Sequence, residues 1–276
     1  MRVHLHTLCW NDRPMLDYFF RHYEQWVDRF FMLDDGSTDG TLEYLRQKPN
    51  VEIGRVTRSD PASWVASAKA IYDNDWKRSR GEADWVVVTN IDEHLHHGDM
   101  RAYLSHLLEV GATVAPSLGY QMLSMEPPAL WNLLWRDCPF GAPWRKMSKL
   151  GIFRPDKIEE TNFSPGRHSA DICGDVAYPE RDEIVNLHFK YIWGLDSTHA
   201  RHSAQSERLG PGDHERRWGQ KYVWMRDELG AEFDRFRSGL IDTSRCDHHA
   251  CHPEHRWWRK RGWRSVSAVT HLSTEI

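Results

Sequence analysis

Four side chains able to coordinate a cation or carry a proton, Asn90, Asp92, Glu93 and His94, follow an unbroken run, Trp85-Val86-Val87-Val88-Thr89. Carboxylates and an imidazole gathered this closely repel one another or resist desolvation unless a cation joins them. Oxygen ligands beside a histidine suit Mn²⁺ or Mg²⁺. The competing reading is an acidic turn that caps the helix after Asp99, and spacing alone leaves both open. The preceding run is apolar or β-branched throughout, as in the central strand of a covered parallel sheet. Such a strand delivers the cluster to its carboxyl end, where open α/β sheets bind ligands.

A second chemical stretch, Asp34-Asp35-Gly36-Ser37-Thr38-Asp39-Gly40-Thr41, ends another strand-like segment at residues 29–33. Capping side chains and a glycine turn would explain most of it. Two adjacent carboxylates exceed what a cap needs, however, and one could accept the imide hydrogen of uracil or an amino hydrogen of another base. A third, the polar loop from Ser164 to Asp171, carries His168 and Asp171 as acid-base candidates. Ordinary loop hydrogen bonding is the alternative for both.

The elements that must position these groups alternate. Residues 3–9 read as a strand, and Pro14 opens a helix with Met15, Leu16, Phe19, Phe20, Tyr23, Trp26 and Val27 at helical spacing. Strands follow at 29–33 and 51–56. Asp60-Pro61 opens a helix, the organising strand comes next, and Asp99 to Gly111 forms another helix. Further strands are expected at 112–120, 147–154 and 183–189, separated by a Pro- and Trp-rich loop containing Trp131, Trp135 and Trp144. This order predicts an α/β fold: a Rossmann-like, mixed, mainly parallel sheet sandwiched by helices, with right-handed crossovers. Beyond Asp196 the chain reads as a C-terminal helical extension, with Trp218, Tyr222, Met225, Leu229, Phe233 and Phe236 on one stripe. The expected divisions are 1–200, 201–245 and a tail at 246–276. In that tail Cys246, His248, His249, Cys251, His252 and His255 contain zinc-type ligands without standard finger spacing. The block from Trp257 to Arg264 suits the headgroup layer of a membrane, or a contact with another copy.

Composition narrows the classes. The 276 residues are 40% hydrophobic, enough for a folded core, and a mean hydropathy of -0.69 argues against a membrane-embedded chain. The formal charge of -4 argues against a globally basic nucleic-acid binder. The start lacks a secretion signal's pattern and the five cysteines form no dense framework, so a cytoplasmic enzyme with reduced thiols is the expectation. Fourteen tryptophans suit either core packing or a carbohydrate cleft.

Asn11-Asp12, the Phe31 to Thr41 run, and Asp84 to Leu95 resemble the GT-A glycosyltransferases of the family 2 type, and more closely the subgroup with an Asp-x-Asp-Glu-Phe-Leu sequence. Lys149 to Pro155, Gly166-Arg167-His168 and Asn186-Leu187-His188-Phe189-Lys190-Tyr191 extend the similarity to about residue 200. The resemblance implies transfer of a sugar from a nucleotide-diphosphate sugar to a glycan or lipid-linked acceptor, inverting and metal-dependent, in bacterial surface-glycan or exopolysaccharide synthesis. It implies Thr7, Asn11, Asp34, Asp35 and Asn90 at the nucleotide, Asp92, Glu93 and His188 around Mn²⁺ or Mg²⁺, and Asp171 or His168 as base. The tail lies outside the resemblance; its Trp and Arg block adds peripheral contact at the inner face of a membrane as an expectation for a cytoplasmic enzyme. Two departures stand out: Asn90 replaces the first Asp, and His94 replaces the aromatic residue. On an extended strand Asn90, Asp92 and His94 would share one face, so His94 could compensate as a ligand. Metal-dependent nucleotidyl transfer and non-catalytic glycan binding are the alternatives. A nucleotidyltransferase usually adds a Gly-rich phosphate loop, which Trp10-Asn11-Asp12-Arg13 is not.

Overall fold

The computed structural model describes residues 1–124, 126–130 and 132–267. Met125, Trp131 and the last nine residues of the expected tail lie outside the described residues. The first three strands and their neighbour form a parallel core. β1 (Val3–Cys9) pairs with β2 (Arg29–Asp34) on one side and β4 (Trp85–Val88) on the other, and β2 pairs with β3 (Val51–Arg55). All four residues of β4 are buried, as a strand covered on both faces requires. α1 (Arg13–Tyr23) links β1 to β2 and lays Leu16, Phe19, Phe20 and Tyr23 against Phe30, Val87 and Leu95 in one apolar cluster.

Beyond β4 the sheet becomes mixed. β8 (Lys149–Phe153) is antiparallel to both β4 and β6 (Val114–Leu123). β6 also carries β7 (Phe140–Pro143), antiparallel, and the late strand Ile184–Tyr191, parallel. The late strand in turn pairs antiparallel with β5 (Glu93–His96). β5 is absent from the sequence reading because its polar, histidine-rich pattern carries no strand periodicity, and the late strand supplies its partner. Gly119 permits the close crossing that seats β8: a Cβ there would lie 2.1 Å from the Met147 carbonyl carbon and 2.4 Å from the Ser148 nitrogen.

Helix α2 (Thr41–Leu45) and α3 (Trp64–Asn74) follow β2 and β3, and α4 (Met100–Glu109) follows β5. Asp99 caps α4 by accepting from the Ala102 amide at 2.9 Å, and Gly111 follows with φ +77°, as the capping signals predict. The start of α3 differs. Asp60 instead closes a turn by accepting from the Ala62 amide, and Ser63 becomes the cap. After the short α5 (Leu134–Asp137), the C-terminal extension is α6 (Gly194–Ser206), α7 (Pro211–Glu215) and α8 (Arg226–Ser238). The expected single stripe is broken. Gly219 adopts φ +68° and Met225 is 70% exposed, while Leu229 and Phe236 are buried against Tyr191 and Leu123.

The tail also departs from expectation. Trp257 and Trp258 are buried with Phe153 and Val114, and Arg259 bonds Asp182 at 2.9 Å. These indoles help build the core rather than offering a membrane-facing surface. Among the described residues no helix is long and apolar enough to cross a membrane, and no cluster of three His, Cys, Asp or Glu could hold a metal ion. The tail cysteines and histidines form no such cluster among the described residues. Cys246 and His248 instead meet the Tyr120 hydroxyl, and His252 bonds the Gly119 carbonyl.

Candidate functional site

Beyond β4 the backbone turns through Asn90 and Ile91 before β5 begins at Glu93. That turn separates the acidic pair. Asp92 remains about a third exposed, with its Oδ2 3.3 Å from His188 Nε2. Gln121, buried on β6, fixes the imidazole. Its Nε2 donates to the Met122 and His188 carbonyls, so its Oε1 must accept from His188 Nδ1–H, at 2.7 Å. His188 Nε2 is thereby turned toward the Asp92 carboxylate. Partial burial raises the Asp92 carboxyl pKa, but His188 outweighs it and the net sits below the ordinary carboxylate value.

Glu93 points the other way and is not a metal ligand. It is 1% exposed and accepts from Lys149 Nζ at 2.6 Å, Arg167 at 3.0 Å and Asn90 Nδ2 at 2.7 Å. Burial alone would raise its pKa. Lys149 first, then Arg167, pull it far below the usual carboxylate range. The same burial pushes Lys149 down to about 8. Arg167, at φ +56°, also donates to the Val88 carbonyl and stacks on Tyr72. Asn90 is engaged here: its Oδ1 accepts from the Tyr72 hydroxyl at 2.6 Å while its amide holds Glu93. Both of these bonds are to the scaffold that holds the turn. His94 cannot compensate, because its ring is 1% exposed among Phe19, Tyr23 and Phe189.

The carboxyl ends of β1 and β2 divide the nucleotide candidates. Asp34 is 4% exposed and accepts from the Gly36 and Ser37 amides, so it shapes its own turn. Thr7 is buried and donates to the Leu8 carbonyl. Neither is free for a ligand. Asn11, at φ +50°, accepts from the Thr38 amide and joins the two loops. Asp35 is at the mouth, paired with Arg208 and 3.8 Å from Arg58. Arg201 bonds Asp12 and the Asn11 carbonyl and contributes charge to Asp92. Burial raises the Asp12 pKa, with Arg201 opposing. Tyr222 lies within electrostatic reach of Asp92, Arg201 and Arg208.

The extension thus builds the site's outer wall. Asp213 caps α3 from across the chain, accepting from Ser63 Oγ at 2.5 Å and from the Trp64 and Val65 amides. Sequence reasoning did not single out Lys149, Arg167, Gln121, Arg201 or Arg208 as site residues. The Lys149 and Gly166-Arg167-His168 matches were the one signal that pointed toward two of them. Of the acid-base candidates, Asp171 is displaced: its side chain is 74% exposed and pairs with Arg261 at 3.0 Å. His168 donates from Nδ1 to the Lys146 carbonyl, leaving Nε2 with a lone pair. Burial, then the Lys149 charge, push its pKa to about 3.

No protein-family model matches this chain, and no curated protein matches it in sequence. Among solved structures it is similar to S. aureus TarS, at 12% identity and TM-score 0.33, covering 56% of this chain and 28% of that one. It is similar to S. aureus TarS 1-349 at 11% identity and TM-score 0.36, covering 74% and 66%. The TarS 1-349 complex with UDP-GlcNAc gives 10% identity and TM-score 0.35, covering 74% and 65%. The chain therefore spans between 28% and 66% of the length of these structures.

Proposed function

We propose that this chain is a glycosyltransferase that carries a sugar from a nucleotide-diphosphate sugar to an acceptor hydroxyl, with Mn²⁺ or Mg²⁺ held by Asp92 and His188. The observation that supports this most is the tautomer of His188: Gln121 takes the Nδ1 proton and leaves Nε2 beside the Asp92 carboxylate. That oxygen-plus-imidazole pair fits the proposed cation, and donor phosphate oxygens and water would complete a shell of the kind Mg²⁺ prefers.

When bound, the cation supplies positive charge against the diphosphate that leaves. At an effective dielectric near 20, a close pair of opposite charges is worth roughly 4 kcal/mol before desolvation is deducted. The chain's own groups do the rest. Asp92 and His188 grip, Gln121 keeps the ring in register, and Arg201 adds a second positive charge beside Asp92. His168 is proposed as the proton acceptor on geometry: Nδ1 donates to the Lys146 carbonyl and Nε2 carries the lone pair, while Asp171 is tied to Arg261. The acceptor hydroxyl would give its proton to that nitrogen as its oxygen attacks the anomeric carbon and the nucleoside diphosphate departs from the opposite face. A glycan or lipid-linked acceptor, in surface-glycan or exopolysaccharide synthesis on the cytoplasmic side, is proposed on the resemblance of the motifs.

The test is incubation with Mn²⁺ and a panel of nucleotide sugars, monitoring released nucleoside diphosphate. Release that falls at least about a hundredfold in Asp92→Ala and His188→Ala supports the proposal. Pyrophosphate release would instead favour nucleotidyl transfer. No release, with glycan binding retained, would favour a scaffold.

A further inference from the structure

Arg208 occupies an unusual place for a surface arginine. Its guanidinium carbon lies 4.2 Å from the ring centroid of Trp10 and 4.2 Å from that of Trp64, and it forms an ion pair with Asp35. Its side chain is only 13% exposed, while both indoles remain partly open. Trp10 follows β1, Trp64 begins α3, and Asp35 follows β2, so three elements converge on one planar cation at the carboxyl edge of the sheet. A guanidinium stacked at aromatic distance is a flat, delocalised group with N–H donors on its rim. A nucleobase has the same thickness, stacks on the same rings, and presents N–H donors to a carboxylate.

We propose that Trp10 and Trp64 form the seat of the donor's nucleobase, and that Arg208 is a built-in competitor that fills the seat until the base displaces it. This inference rests on the nucleotide-sugar reading above. The exchange conserves each interaction type. The indoles trade one flat partner for another, and Asp35 trades a guanidinium N–H for an imide or amino N–H of the base. Asp35 is not stranded meanwhile, because Arg58 remains 3.8 Å away. The backbone need not open. The Gly212 amide bonds the Ala62 carbonyl at 2.8 Å, and Asp213 holds the first turn of α3. With Gly212 and Asp213 pinned there, the Arg208 side chain alone swings out. Displaced, it stays on the rim that Arg201 and Tyr222 share with Asp92.

The experiment is calorimetry on the full chain with UDP, GDP and ADP, each with Mn²⁺, and with pyrophosphate as the ligand that lacks a base. For whichever nucleotide binds the wild type, Arg208→Ala should tighten binding about tenfold and leave pyrophosphate unchanged. Trp64→Ala in the Arg208→Ala background should reverse the gain, with circular dichroism verifying the fold. Arg208→Gln, which keeps a hydrogen-bonding group without the charge, should fall between. Unchanged or weaker nucleotide binding in Arg208→Ala overturns the seat and leaves the donor reading intact. A parallel loss for pyrophosphate would make Arg208 a phosphate ligand and also overturn it. Binding of no nucleotide by any variant removes the nucleotide-sugar reading itself, and the seat with it.

Discussion

His188 stands with Nδ1 2.7 Å from Gln121 Oε1 and Nε2 3.3 Å from Asp92 Oδ2, so a single ring joins the core of the sheet to the exposed carboxylate of the site. Gln121 is 0% exposed, and its own amide is fixed by two backbone carbonyls. The ring orientation is therefore built into β6 rather than chosen at the surface. Gln121→Leu leaves the Nδ1 proton without an acceptor and frees the ring to flip. Mn²⁺ affinity, read by calorimetry or by electron paramagnetic resonance of the free ion, should fall about 10- to 100-fold.

The Lys149–Glu93–Arg167 cluster holds the turn that presents Asp92. Lys149→Met leaves the Glu93 carboxylate balanced by Arg167 alone and strips its Oε1 of the ammonium donor inside the protein, so it should cost about 1–3 kcal/mol in urea unfolding at pH 7. The Glu93 pKa is lower in the folded state than in the unfolded chain. Its contribution is thus fully present above the unfolded value, about 4.3, and is lost as pH falls below it. The wild-type urea midpoint should drop on acidification from pH 5 to pH 3. Glu93→Gln, though less stable at pH 7, should show a flatter curve over that interval.

His94 occupies an apolar site at the cost of two polar atoms. Both ring nitrogens are buried without a hydrogen-bond partner, the Ile91 carbonyl approaching without closing a bond. The ring stacks on His22 at 4.8 Å. Burial holds His94 well below its ordinary pKa and His22 down to about 4. Folding therefore loses stability as pH falls below about 6.5, where the unfolded chain takes up protons the folded one refuses. His94→Phe should stabilise the protein by about 1–3 kcal/mol at pH 7 and reduce the slope between pH 6.5 and 4. A thermal melt across that range reads both effects.

Asp213 ties the extension to the sheet. Asp213→Ala removes the acceptor for Ser63 Oγ and two amides of α3 and should cost about 1–2 kcal/mol. Hydrogen exchange should accelerate at Trp64 and Val65 while the amides of β1 and β4 keep their protection.

Much of the scaffold was legible in the chain itself. The apolar runs of β1, β2 and β4, the spacing of α1 and the Asp99 and Gly111 signals all specify local structure, because they act through periodicity and backbone preference within a few residues. They also placed Asp92 and Asp35 at one edge of the sheet. Proximity of that kind follows from strand direction, which is a local property once the sheet is parallel.

What the sequence could not decide was the role of each member of an adjacent pair. Asp92 and Glu93 are consecutive, as are Asp34 and Asp35, and neighbours along a chain face different surroundings. Glu93 became part of the framework because Lys149 and Arg167, 56 and 74 residues away, neutralise it inside the protein. Asp92 stayed at the surface because β5 reverses there to pair with the late strand carrying His188. Asp34 was turned inward by its own loop, and Asp35 outward to an arginine 173 residues distant. A carboxylate's function depends on which charges and solvent surround it, and those neighbours are assembled only when the chain has folded.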